Sequence, residues 1–188
     1  MKFLVRVGLV VVVVIAAVAV LNRYNGAGRY CTVLGTGVAH ADEDCLQQDA
    51  ISMSWAQAQQ QQMTMAGAAV TTGLLFTEAS GADPVTLTSG EDDDNFTVAW
   101  KYLQTAPGIR GQPQGSRQVA GHVEAKAAAR LRHEGHTYGV LVINNPAGPC
   151  PYGSGIGCGT AMMLIMPRGS EIVVWWPGGR HGTYLGRA

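Results

Sequence analysis

The sequence predicts an α/β fold in which helices cover a mixed β-sheet, and three features carry that expectation. YGVLVINN and EIVVWWPGG are nearly unbroken apolar, β-branched runs, as expected of strands buried on both faces. HVEAKAAARLRHEG is rich in Ala and Leu, with Val123, Ala127 and Leu131 recurring on one helical face and Gly135 as a stop. CGTAMMLIMPRG is a second apolar helix, ended by Pro167 and Gly169. Strands linked through helices tend to pair in parallel by right-handed crossovers, so an α/β/α sandwich around a mixed sheet is the natural architecture.

The elements follow in chain order. Lys2 and Arg6 precede an unbroken apolar run from Val7 to Leu21, and Arg23 follows it. The run is shorter than the roughly 20 residues of a spanning helix and suits the apolar core of a secretory signal. Counting from Phe3, with Arg6 snorkelling, it reaches spanning length, so residues 1–25 read as a signal peptide or a signal anchor, an apolar N-terminal helix either way. Small residues offer cleavage sites at Ala17-Val18-Ala19 and Ala39-His40-Ala41, and both outcomes stay open. The chain is accordingly expected to be secreted or membrane-anchored.

Residues 26–65, with the run Gln59 to Gln62, read as a linker or stalk, or a loosely held helix. Cys31 and Cys45 within it could close a small disulfide loop. Residues 66–188 are then left as one domain, which the length of 188 residues accommodates.

Within that domain VTTGLLFTEA and PVTLTSG form a hairpin around the turn formers Ser80, Gly81, Asp83 and Pro84. Gly90 to Ala120 reads as a long loop with a short strand or helix near Phe96 to Leu103, and the acidic cluster Glu91, Asp92, Asp93 and Asp94 as its solvated part. The helix from His122, the strand YGVLVINN, the loop NPAGPCPYGSGIG, the apolar helix and the final strand complete the order. Lys+Arg 13 balance Asp+Glu 13, so contact with a polyanion has to be local rather than driven by bulk charge.

The residues that carry chemistry sit at helix starts. His122 and Glu124 open one helix, and Pro149-Cys150 and Cys158 lead into the next. Zinc favours imidazole and thiolate, and a catalytic site takes three protein ligands, which one His and two Cys supply. A helix N-terminus favours negative charge and lowers thiol pKa, so thiolates are expected there. Glu124 need not be a ligand; its role would be to accept a proton from water and pass it on, as base and then acid. One His, two Cys and a non-ligating Glu in the arrangement H-x-E…P-C-x-x-C mark the zinc nucleobase deaminases. HVE and PC match; the second cysteine departs, since Cys158 follows Cys150 across a glycine-rich stretch rather than after two residues.

That departure, with HVEAKAAARLRHEG, GVLVINNPAGPCPYGSGIGC and MLIMPRGSEIVVWWPGG, resembles the bacterial DNA cytosine deaminase toxins of the DddA type. The resemblance runs from about Ala68 to Gly179. It implies a cytidine deaminase-like fold, with His122, Cys150 and Cys158 as Zn2+ ligands and Glu124 as the proton shuttle. It further implies conversion of cytosine to uracil in DNA, single- or double-stranded, by an antibacterial effector that acts in a target cell's cytoplasm and leaves room for an immunity protein as partner. Zero net charge tilts the expectation towards single strands, where no base has to be unpaired.

Asn144, Asn145 and Tyr152 are the candidates for holding the substrate, although asparagines at a strand end are also ordinary turn formers. Trp175 and Trp176 read as core. Two other readings stay open: deamination of RNA or a free nucleoside, and a catalytically inactive, membrane-anchored binding module in which Cys150 and Cys158 pair as a disulfide.

Overall fold

The computed structural model describes residues 46–47, 50–63, 70–78, 83–106, 109, 113–151 and 156–188. The apolar N-terminal segment, Cys31, Cys45 and Tyr152 lie outside the described residues. Among the described residues no helix is long and apolar enough to cross a membrane.

The order is helix α1 (Met53–Gln62), strands β1 (Thr72–Thr77) and β2 (Val85–Thr88), helices α2 (Asp94–Thr105), α3 (Pro113–Ala120) and α4 (Val123–Glu134), strand β3 (Tyr138–Ile143), helix α5 (Cys158–Ile165), and strands β4 (Glu171–Trp176) and β5 (Arg180–Leu185). The strands form one sheet in the order β2-β1-β3-β4-β5. It is mixed, as expected: β3 and β4 run parallel across the α5 crossover, and the other three pairings are antiparallel.

Alternation along the strands divides the core in two. Leu75, Leu141, Ile143, Ile172 and Val174 face a cluster completed by α2, α4 and α5. Leu74, Phe76, Val140, Val142, Val173 and Trp175 face the other side, where Leu46, Ala50, Trp55, Ala56 and Met63 cover them. On α4, Ala125, Ala127, Ala128 and Ala129 are all fully buried, and these small side chains allow α2 and α5 to approach closely. Gly135 ends α4 at φ +80°, its N–H donating to Leu131 O, a conformation that glycine adopts without strain.

Part of the segment expected as a stalk belongs instead to the packed domain. Ser52 caps α1, Trp55 packs edge-on to Phe76 with ring centroids 4.9 Å apart, and Trp175 Nε1 donates to Ala50 O at 2.8 Å. The physical reason is the exposed sheet face, which needs an apolar cover that only these residues supply among those described.

The expected long loop is more ordered than that: α2 takes the helical alternative near Phe96 to Leu103 and extends it at both ends, and α3 was not expected. Asp93 caps α2 by accepting from Phe96 N at 2.8 Å, and Phe96, Ala99 and Leu103 bury a helical stripe. Nor is the acidic cluster simply solvated, since Glu91 pairs with Arg117 and Asp93 with Lys126, each at 2.6 Å. EIVVWW is not the last strand; β5 follows it along one edge of the sheet.

Candidate active site

The site forms where α4 and α5 begin. His122 is the N-cap of α4 in extended conformation (φ −82°, ψ 146°) and makes no side-chain cap bond, so its ring is available to turn outward from the helix. Its Nδ1 lies 3.0 Å from Cys158 Sγ. Cys158 is the first residue of α5 and fully buried, and its N–H donates to Cys150 Sγ at 3.0 Å and to Cys150 O at 3.2 Å. An N–H with no partner inside its own helix thus stabilises charge on the neighbouring sulfur. The ligand atoms of His122, Cys150 and Cys158 all lie within 4.8 Å of one another, and the two cysteines are unbridged.

Glu124 enters in the first turn of α4 and is only 3% exposed. Burial raises its carboxyl above the ordinary range, and the nearby Cys150 adds to this, while its own backbone N–H and His122 oppose it. Hydrogen bonding with Cys158 is the main cause that draws the Cys150 thiol down to about 4, and His122 works in the same direction. Its partnership with Cys150 raises His122. The hydrogen bond with Cys150 and burial together push Cys158 upward. The two sulfurs are thus coupled, the hydrogen bond between them favouring charge on Cys150 over Cys158.

That electrostatic situation tests the fit of a metal. Charge on Cys150 disfavours ionisation of both Glu124 and Cys158, and Glu124 disfavours that of Cys158; a divalent cation would relieve these repulsions at once. The donors are one imidazole and two thiols, the chemistry of a zinc site with a position left open. The group fits zinc.

The Cys150 loop is held from both sides. Asn145 Oδ1 accepts from Ala147 N at 3.1 Å and its Nδ2 donates to Gly148 O at 3.0 Å. Asn145 is occupied within its own turn, the turn-forming role that the sequence left open. Gly148 has φ +76°, and the Trp176 ring lies 2.8 Å from where its Cβ would sit, so only glycine fits. Arg180 donates through Nη2 to Pro146 O from beneath. Asn144 accepts from Thr72 N at 2.9 Å and so stitches the end of β3 to β1. Trp175 is core, as expected, and Trp176 is half-buried against the loop.

Sequence reading missed three side chains around the site. Lys126 is fully buried one turn after His122, Asp93 is its partner, and half-buried Tyr184 on β5 packs its ring against Gly159 beside Cys158. Burial raises the Tyr184 phenol, with further contributions from Glu124, Cys158 and Cys150, so it shares their surroundings. A lysine inside an alanine-rich helical stripe was the available signal for the first; a polar edge strand carries none for the last.

A mixed sheet that sets a helix-borne His-x-Glu against two cysteines is the arrangement of a deaminase of the cytidine deaminase-like type. Residues 48–187 match the model of the SCP1.201-like deaminases, and the chain belongs to that family. No curated protein matches the chain.

Proposed function

We propose that this deaminase is zinc-dependent and converts cytosine to uracil in DNA, single strands in preference to duplex, as an antibacterial effector exported or anchored through residues 1–25. The observation that carries the reading is Glu124, a buried carboxyl with a raised pKa beside the group formed by His122, Cys150 and Cys158. The cytosine and DNA assignments are supported by the resemblance of the runs around His122, Cys150 and Cys158 to the DddA-type toxins. Zero net charge supports single strands, because it supplies little electrostatic drive to open a duplex.

His122, Cys150 and Cys158 would hold the zinc, which when bound supplies Lewis acidity that makes water a nucleophile near neutral pH. Glu124 takes the proton that water releases as its oxygen bonds to cytosine C4, and delivers it to N3. It then carries the second proton to the departing amine, so that cytosine and water leave as uracil and ammonia. A carboxyl with a raised pKa suits both directions of transfer, and its burial keeps bulk water from competing.

The test is uracil formation by the full chain, with zinc quantified in the same sample, on matched single- and double-stranded DNA, on RNA and on cytidine, with Glu124→Ala as control. Uracil in single-stranded DNA from wild type alone supports the reading. Product only from RNA or cytidine moves the substrate class, and a protein that takes up no zinc overturns the catalytic assignment.

A further inference from the structure

Lys126 has no part in the chemistry just described, yet it is 0% exposed and carries an ammonium group. Its Nζ donates to Thr88 O at 2.8 Å and to Asp93 Oδ2 at 2.6 Å. Lys126 comes two residues after Glu124, about 200° around α4, so the ammonium is directed away from the carboxylate towards the end of β2 and the start of α2.

The segment it reaches, residues 88–93, grips the chain on both sides of His122. Ahead of it, Gly90 N donates to Gly121 O at 2.9 Å; behind it, Lys126 is the residue whose N–H closes the first turn onto His122 O at 3.1 Å. The gripping segment is itself fixed. Ser89 N donates to Thr71 O at 2.8 Å, Thr71 N to Ser89 Oγ at 3.0 Å, and Arg117 to Glu91. β1, the 88–93 segment and the first turn of α4 are thereby connected, with Lys126 and Gly90 as the two ties to the turn.

Stability alone does not account for this residue. Desolvating an ammonium costs several kcal/mol, and its carboxylate partner repays this only in part, the Asp93 side chain being 40% exposed while Lys126 is fully buried. We propose that the Lys126–Asp93 pair is a positioning device for the active-site turn: by tying residues 88–93 to α4 it fixes how His122 and Glu124 are presented, without touching metal or substrate. The proposal rests on reading His122 as a metal ligand and Glu124 as the proton carrier.

The experiment compares full-length wild type with Lys126→Met, Asp93→Asn and the double variant. Asn keeps the α2 cap while removing the charge, and the double variant leaves no unpaired buried charge. Glu134→Gln, at the far end of α4, is the control. Zinc release to a chromophoric chelator is read together with kcat and KM on single-stranded DNA and with the melting curve. Groups that orient ligands change metal affinity or activity by about 10- to 100-fold when removed. The double variant is expected to stay folded, release zinc ~10-fold faster and lose ~10-fold in kcat with KM within ~2-fold.

Zinc release and kcat both within ~2-fold of wild type in a folded double variant would overturn the proposal. Should Lys126→Met and the double variant fail to fold, Asp93→Asn decides by the same two readouts. If wild type holds zinc but deaminates no DNA, the release rates still decide, and the failure belongs to the substrate assignment.

Discussion

His122 Nδ1 and Cys158 Sγ stand 3.0 Å apart across 36 residues of sequence, each at the start of its own helix. The contact joins α4 to α5 directly, so removal of either side chain should act on metal and fold together. His122→Ala and Cys158→Ser are expected to purify with little zinc and to show no measurable deamination. Stripping zinc from wild type should lower its melting temperature, with recovery on adding zinc back, because a metal that binds only the folded state stabilises it by mass action. Zinc content and a melting curve at several zinc concentrations check both.

Glu124→Gln should separate chemistry from binding. The amide keeps the shape but cannot take a proton, and activity should fall by at least ~10²- to 10⁴-fold while zinc content stays at the wild-type level. Since burial penalises the charged form of this carboxyl, the variant should be no less stable than wild type. Urea unfolding alongside a uracil assay measures the pair of outcomes.

The acid limb of the stability curve should depend on Asp93. Burial works to raise its carboxyl, but the hydrogen bond and charge of Lys126 and the backbone N–H groups of Phe96 and Asn95 outweigh it and hold it below its ordinary value of 3.8. A lowered folded pKa means the unfolded chain binds the proton more readily. The stabilisation is therefore complete above that ordinary value and disappears as pH falls through the lower folded one. Asp93→Asn should flatten the fall in urea midpoint on going from pH 5 to pH 2.5, leaving the remaining carboxylates to account for what persists.

Gly159 has little room for a side chain, since its Cβ would lie 2.7 Å from Tyr184 Cε1. Gly159→Ala should destabilise the protein by about 1–3 kcal/mol through overpacking. Combining it with Tyr184→Ala should recover much of that loss, a non-additivity that a double-mutant cycle in urea detects.

Shortening the chain to residues 66–188 should give a poorly soluble product. It removes Trp55 and its neighbours from a sheet face made of Phe76, Val140, Val142, Val173 and Trp175. Trp55→Ala alone should cost about 3–5 kcal/mol, as for other buried aromatic residues. Denaturant titration of the point variant and light scattering of the short chain test the two claims.

These cases show which parts of the fold could be read in advance. β3, β4, α4 and α5 were legible because each is buried on most sides and so carries a continuous apolar or helical signal. His122, Cys150 and Cys158 stood out as metal-ligand residue types in a set order, and the structure brings their ligand atoms within 4.8 Å of one another. By contrast, α1 hides Trp55 and Ala56 within a glutamine-rich run, and α2, which buries only Phe96, Ala99 and Leu103, was legible only as a short strand or helix. β5 pairs on one side only and is half exposed, which erases any hydrophobic pattern. Lys126 and Asp93 could not be recognised as partners, because 33 residues separate them and only the packing of α2 on α4 brings them together.

The pinch between the two cysteines has an evolutionary consequence. Because the Cys158 N–H bonds both Cys150 Sγ and Cys150 O, the ends of the intervening stretch are fastened at its base, whatever lies between. Lengthening a closed loop adds little entropic cost, about 0.6 kcal/mol per doubling. Natural variation can therefore add, remove or exchange residues between the ligands while the reaction centre stays intact. Descendants of one catalytic ancestor can in this way diversify what they recognise without having to reinvent how they react.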